Sequence, residues 1–235
     1  MRGLKVETSM VGTDSLGWVH VSISGEDENV AVRYLANNIG LRPADLENIR
    51  KYSTLKGYVT SPSKSNNELW VDVGVSSPSR VDAAVPLHQL QAQLGDGRKI
   101  ALGKMVELFG FCENLPLHIR VTNADFEARY IEAELSEKQQ EQYAGWTRSL
   151  LDRLLILGAS YGEVDSAIRR AEFNRDIVKV ESLGMFEHAV LCKVGTDAAG
   201  LIPRMGKNLR RAAFSVFNPR KILAVLGYDS ALFAS

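Results

Sequence analysis

The chain has 235 residues, 45% hydrophobic and 24% charged, with 28 Lys plus Arg against 28 Asp plus Glu. This is close to the globular average, which excludes a disordered chain. The charge balance excludes a globally basic polyanion binder, so any nucleic-acid contact needs a local patch. Cys112 and Cys192, the two cysteines, stand in no CxxC spacing, which argues against a disulfide framework or zinc site and for a reducing, cytoplasmic setting. Residues 1–11 alternate like a strand rather than opening as a signal peptide. Apolar runs such as LLILGA fall far below the roughly 18 residues of a membrane span.

In chain order, residues 3–11 read as a strand and TDSLG as a turn. WVHVSISG alternates Val19, Val21 and Ile23 against Trp18, His20 and Ser22, the period of a half-buried strand. Glu26, Asp27 and Glu28 then precede Val30, Ala31, Tyr34, Leu35 and Ile39 at helical spacing, with Gly40 as a stop. Pro43 opens a second short helix through Ile49. Residues 1–52 therefore form a small α/β unit.

Five strand-like segments follow. LKGYV sets Val59 inward and Tyr58 on the other face. After the turn-rich SPSKSNN, ELWVDVG alternates Leu69, Val71 and Val73 against Trp70 and Asp72. VDAAVPL is a third strand. HQLQAQL and ALGKMVELFG read as helices about a GDG turn. PLHIRV turns Leu117, Ile119 and Val121 to one face, and ARYIEAEL is the fifth strand. Five short alternating strands suit a small closed barrel over residues 53–137.

Residues 138–235 read as an α+β domain. Ser136 with Gln139 and Ser160 with Glu163 have capping-box spacing. WTRSLLDRLLIL places Leu150, Leu151, Leu154, Leu155 and Leu157 on a broad helical face ended by Gly158. Val164, Ala167, Ile168 and Ala171 stripe the next helix. DIVKVESLG and EHAVLCKVG read as paired strands. GLIPRMGKNLRR is expected to be helical after Pro203, and AAFSVF and KILAVLG to be strands. Overall the sequence predicts an α+β multidomain chain: an α/β N-terminal unit, a central five-stranded OB barrel and an α+β C-terminal domain.

The barrel segments resemble, in their order, the ribosomal S-one RNA-binding domain: KGYV its opening strand, ELWVDVG its hydrophobic-aromatic-Val-acid run, VDAAVPL its small-residue strand, and PLHIRVTNADFEARYIEAELS its final hairpin. The resemblance spans about 80 residues and contains an insertion before Pro116. It implies base stacking on barrel aromatics, with Trp70 at the second-strand position, Tyr58 beside it, and His88 close to Pro86, which replaces the family's third-strand histidine. Asn66, Asn67 and Glu68 replace its aromatic-Gly pair. The whole chain also resembles an uncharacterised archaeal family of unknown function, through GWVHVSISGEDENVA, the barrel, and VESLGMFEHAVLCKVGTDAAGLIPRMGKNL. That resemblance implies an archaeal, cytoplasmic setting.

From Ala198 to Tyr228 the chain has no acid but carries Arg204, Lys207, Arg210, Arg211, Arg220 and Lys221. On a continuous helix Arg204, Lys207 and Arg211 share one face, a stripe able to track phosphates. The alternative is an ordinary solvated face, or one paired with acids such as Glu26 or Asp27. The helix pair about GAS, followed by a hairpin, also matches a winged helix-turn-helix with Glu163–Ala171 as the reading helix, although its acids would meet phosphates badly.

Enzyme signals are poor. GRKIALGKM has one residue too many for a P-loop and lacks Ser or Thr after Lys104. Ser61 and Lys64 form a loop Ser-x-x-Lys. His20, His88, His118 and His188 have no metal-ligand spacing, and Glu187 with His188 needs a pocket to act. GTDAAGLIP offers backbone amides at a loop-to-helix junction, or a plain turn. The expected function is thus non-catalytic RNA binding, in translation or on the ribosome, with single-stranded or ribosomal RNA as partner and no cofactor, metal or membrane. The alternatives are a protein-interaction scaffold whose barrel has lost RNA binding, and a winged-helix DNA-binding regulator.

Overall fold

The computed structural model describes residues 3–13, 19–38, 41, 45–62 and 65–228. Trp18, Ile39, Gly40, Pro43 and Lys64 lie outside them, and with them most of the TDSLG turn, the helix stop, the opening of the second helix and half of the Ser-x-x-Lys pair. The N-terminal part is a hairpin of β1 (Glu7–Thr13) and β2 (Val19–Ser24), then α1 (Glu28–Asn38) and a 3-10 turn (Leu46–Asn48). Contrary to the half-buried strand expected, Val19 and Val21 are 46% and 47% exposed. Among the described residues the hairpin is a separate two-stranded sheet. Leu46 and Ile49 are buried in the barrel's core cluster.

The barrel comprises β3 (Thr54–Val59), β4 (Glu68–Val75), β5 (Val81–Pro86), β6 (Pro116–Asp125) and β7 (Tyr130–Leu135), with α2 (Leu87–Leu94) and α3 (Leu102–Phe109) inserted between β5 and β6. It closes in the order β3-β4-β5-β7-β6, with β5 and β7 parallel and β3 antiparallel to β6. A helical connection after the third strand and closure of the first strand on the fourth define an OB barrel. Period-two alternation builds its interior: Val59, Leu69, Val71, Val73, Ala83, Val85, Leu117, Ile119, Val121, Ile131, Ala133 and Leu135 are all essentially fully buried. Gly57 lets β3 approach β4, since a Cβ there would lie 2.6 Å from the Asp72 carbonyl oxygen and 2.6 Å from Val71 Cγ1.

The C-terminal part begins with α4 (Glu137–Arg148), which Ser136 caps by accepting the Gln139 N–H. The expected second half of that capping box is not made: the Gln139 side chain instead accepts from the His118 N–H at 2.9 Å. Next come β8 (Arg153–Leu157), α5 (Tyr161–Arg170), β9 (Ile177–Ser182), β10 (Glu187–Cys192), α6 (Ala198–Asn208), β11 (Ala213–Phe217) and α7 (Pro219–Val225). The strands form one sheet in the order β11-β8-β10-β9. Helices α5 and α6 pack on one face, over Leu154, Ile156 and Val190. Leu155, Leu157, Ala189 and Phe217 join the barrel's own core on the other. Stacked and edge-on contacts among Phe109, Phe111, Tyr143, Trp146 and Phe217 line that seam.

Three expectations fail here. First, RLLIL is a central strand rather than the end of a helix. It is buried on both faces, so its apolar run is continuous and carries no period. Helix α4 stops at a turn in which Leu150 takes φ 55°. Arg153 braces that turn by donating to the Trp146 and Leu151 carbonyls and to Ser149 Oγ at 3.0–3.3 Å. With β8 between α4 and α5, no helix-turn-helix pair exists, and the winged-helix reading loses its basis. Second, KILAV of the expected strand KILAVLG lies in helix α7, begun by Pro219 and capped by Asn218. Third, α6 starts at Ala198 and runs through Pro203. The expected capping box at Ser160 and Glu163 is present in full. Among the described residues no helix is long and apolar enough to cross a membrane.

Candidate nucleic-acid interface

Tyr58 and Trp70 share the outer face of adjacent barrel strands, where Tyr58 lies opposite Asp72 and Trp70 opposite Ala84. Both rings are half-buried. Ala84 leaves room for Tyr130 to reach over β5 from β7 and meet the Trp70 ring edge-on, with centroids 6.4 Å apart. The Tyr130 hydroxyl donates to Glu68 at 3.0 Å, and burial together with that carboxylate pushes its pKa up to about 12. Tyr130 had no motif to mark it in the sequence. Tyr58 faces the seam: burial, then the charge of Glu187, raises its pKa to about 12. Burial also raises the Glu187 carboxyl and lowers Lys56 beside it. His88 is exposed on the first turn of α2.

The outer face of this barrel is rich in acid. Glu68, Asp72, Asp82, Glu132 and Glu134 lie on β4, β5 and β7. Arg80 reaches Asp82 at 3.0 Å and Asp72 at 3.7 Å, and Arg120 pairs with Glu134. The barrel therefore supplies rings but no surplus of cations.

The structure divides the basic stretch in a way the sequence does not. Helix α6 ends at Asn208, so Arg211 is off the helix and the expected three-residue stripe is not formed. Arg204 pairs with Glu172 at 3.4 Å and stacks on Phe173; Glu26 is engaged instead by Lys5. Lys207, Arg210 and Arg211 converge on a shallow concavity of about 240 Å³ with Gly158, Ala159 and Glu163. Glu163 is committed to its cap, accepting from Ser160 N and Oγ at 2.8 and 2.6 Å. Arg220 and Lys221 lie beyond the opposite end of β11, in the first turn of α7 near Asp152. Five residues of strand, roughly 17 Å, separate the two groups. Lys207, Arg210, Arg211, Arg220 and Lys221 are all exposed, and among the described residues none makes an ion pair within 4 Å. Arg210 belongs to the concavity because the helix ends early; on a continued helix it would lie off the stripe.

Glu187 and His188 alternate to opposite faces of β10: Glu187 toward Lys56 of the barrel, His188 toward Ala159 and Tyr161. Asp197 caps α6 with its own carboxylate, accepting the Ala199 N–H at 3.0 Å, so GTDAAGLIP is a capped turn. Among the described residues no group of His, Cys, Asp or Glu could hold a metal ion.

Three solved structures show likenesses of low TM-score. An uncharacterized protein of Methanocaldococcus jannaschii is 11% identical with a TM-score of 0.26, over 38% of this chain and 95% of its own. A chain of the a/eIF2alpha-aDim2p-rRNA complex from Pyrococcus horikoshii is 10% identical with a TM-score of 0.29, over 53% of this chain and 64% of its own. The intact alpha subunit of aIF2 from Pyrococcus abyssi is 9% identical with a TM-score of 0.23, over 72% and 97%. No curated protein matches. The models of the DUF2110 central domain and the DUF2110 C-terminal domain match residues 50–147 and 151–217; the first takes in the barrel with α4, the second the four-stranded sheet, and the chain belongs to the DUF2110 family.

Proposed function

We propose that the protein is a non-catalytic RNA-binding protein that holds the RNA backbone on its C-terminal cations. The observation that carries this reading is a cluster of exposed cations in a stretch with no acid from Ala198 to Tyr228: Lys207, Arg210 and Arg211 at one end of the sheet, Arg220 and Lys221 at the other, none in an ion pair within 4 Å among the described residues. Cations left open to solvent in a neutral protein can exchange counterions for phosphates. Two groups roughly 17 Å apart suit an extended strand better than a single small anion. Trp70 is the barrel's candidate for base stacking, which tolerates any sequence. Tyr58, half-buried beside Glu187, and exposed His88 are secondary candidates. A place in translation or on the ribosome remains part of the proposal and rests on the S-one resemblance.

The test is titration of a fluorescent single-stranded oligoribonucleotide at several salt concentrations. Five phosphate contacts give a log–log slope of about −3.5, at ~0.7 per contact, with little difference between unrelated sequences. No measurable binding at low salt removes the reading and leaves the protein-interaction scaffold ahead.

A further inference from the structure

Strand β9 is an edge strand. It pairs with β10 on one side, and among the described residues no strand pairs with its other side. Such an edge is a template for another strand. The Leu183 N–H donates to the Glu187 carbonyl at 2.8 Å, and β9 continues in antiparallel register with Ser182 opposite His188, Glu181 opposite Ala189, Val180 opposite Val190 and Lys179 opposite Leu191. Hydrogen-bonding direction alternates along an antiparallel pair. Leu183, Glu181 and Lys179 therefore turn their backbone groups toward β10, while Val180 and Ser182 turn theirs outward. Lys179 and Glu181 lie on one face, their side chains 2.9 Å apart and 59% and 25% exposed. Apolar side chains flank the edge: Val178 is 52% exposed, and Met185 and Phe186 at the hairpin tip are 58% and 48% exposed.

We propose that β9 docks antiparallel on β9 of a second copy of this chain, about a two-fold axis through Val180. That register sets Val180 against its own copy as a hydrogen-bonded pair. It sets Lys179 against Glu181 of the second copy, twice, as non-hydrogen-bonded pairs, in which side chains lie closest. Charge selects this register from its neighbours. An axis through Lys179 sets lysine against lysine, and an axis through Glu181 sets glutamate against glutamate, both destabilising. A two-fold interface must be self-complementary, and Lys179-Val180-Glu181 is self-complementary only about its centre. The second copy would extend the sheet from four strands to eight and cover Val178.

Sedimentation equilibrium of the full chain over a concentration series tests this. The wild type is expected to show a monomer–dimer equilibrium. Lys179→Glu and Glu181→Lys each convert both cross-strand pairs to like charge and should weaken the dimer about tenfold or more. The double exchange K179E/E181K restores opposite charges and should return most of the affinity. An equimolar mixture of the two single variants should associate better than either alone, because glutamates at 179 and 181 then face lysines. The mixture keeps the test valid if one variant is less stable, since both are first shown to be folded by circular dichroism. A wild type that stays monomeric, which would leave Lys179 as a guard against edge pairing, overturns the proposal. So do single variants that dimerise like the wild type, or a mixture no tighter than its components.

Discussion

Trp70 and Tyr130 meet edge-to-face across Ala84, with planes at 82° and centroids 6.4 Å apart. The aromatic that the S-one resemblance marks for stacking is thus also a packing residue. Trp70→Ala should cost about 1–3 kcal/mol of stability, from the lost ring pair and the partly buried area. Thermal melting beside RNA titration separates the two roles. An unchanged melting temperature with weaker RNA binding would show that Trp70 serves the ligand alone.

Gly57 is a second point where the barrel tolerates no change. A Cβ there would press on backbone as well as on Val71, so Gly57→Ala should destabilise the protein by about 1–3 kcal/mol, the usual range for overpacking. Val71→Asp, which buries a charge without a partner at a fully buried position, should prevent the barrel from folding. Chemical denaturation of the first variant and solubility with circular dichroism of the second check these outcomes.

His188 gives the fold a pH dependence whose sign is fixed. Its Nε2–H donates to the Ala159 carbonyl at 3.0 Å and its Nδ1 accepts from the Ser182 hydroxyl at 3.3 Å. Burial holds the imidazole below its ordinary value, partly offset by the Ala159 bond. The unfolded chain, titrating near ~6.5, binds the proton more readily, so this contribution is complete above that pH. It is lost as pH falls through the folded value. His188→Gln should flatten the fall of the melting temperature below about pH 6.5 relative to the wild type. Glu187 and Asp152, raised by burial, take up protons on folding and act in the opposite direction. His118, also lowered by burial, is common to both proteins. The His188 contribution is therefore read as the difference between the two profiles, and identical profiles would contradict it.

The barrel was legible in the sequence because its strands are buried on one face. Leu69, Val71 and Val73 against Trp70 and Asp72 state a period of two, and turn residues punctuate each strand. Strand β8 was illegible for the converse reason. Leu154, Leu155, Ile156 and Leu157 are buried from both sides, so no period shows, and Arg148 to Leu151 extend the run into a convincing helical pattern. Only the backbone turn at Leu150 and the brace by Arg153 divide helix from strand, and both depend on tertiary contacts. The basic site was half legible. The absence of acids from Ala198 to Tyr228 located it, but whether Arg211 or Arg210 belongs depends on where α6 ends. The pairing of Arg204 with Glu172 crosses 32 positions of sequence. Tyr130 was invisible because its role exists only once β5 lies between it and Trp70.

The pairing of Arg204 supplies an internal control. Exposed ion pairs are worth about 0–1 kcal/mol, and a cation already facing Glu172 contributes less to phosphate binding than its neighbours. Arg204→Ala should leave both stability and the salt dependence of RNA affinity nearly unchanged, as melting and titration of that variant would show.

The most direct measurement is the salt dependence of RNA affinity for Lys207→Ala combined with Arg211→Ala, against the wild type. Both residues lie at the concavity beside Gly158 and are exposed, so the fold should be unaffected. If they touch phosphates, the log–log slope should fall in magnitude by about 1.4, two contacts at ~0.7 each for a single strand, and affinity should drop about equally for unrelated sequences. A wild-type slope in the double variant, with RNA still bound, would show that the backbone is held elsewhere and contradict the account.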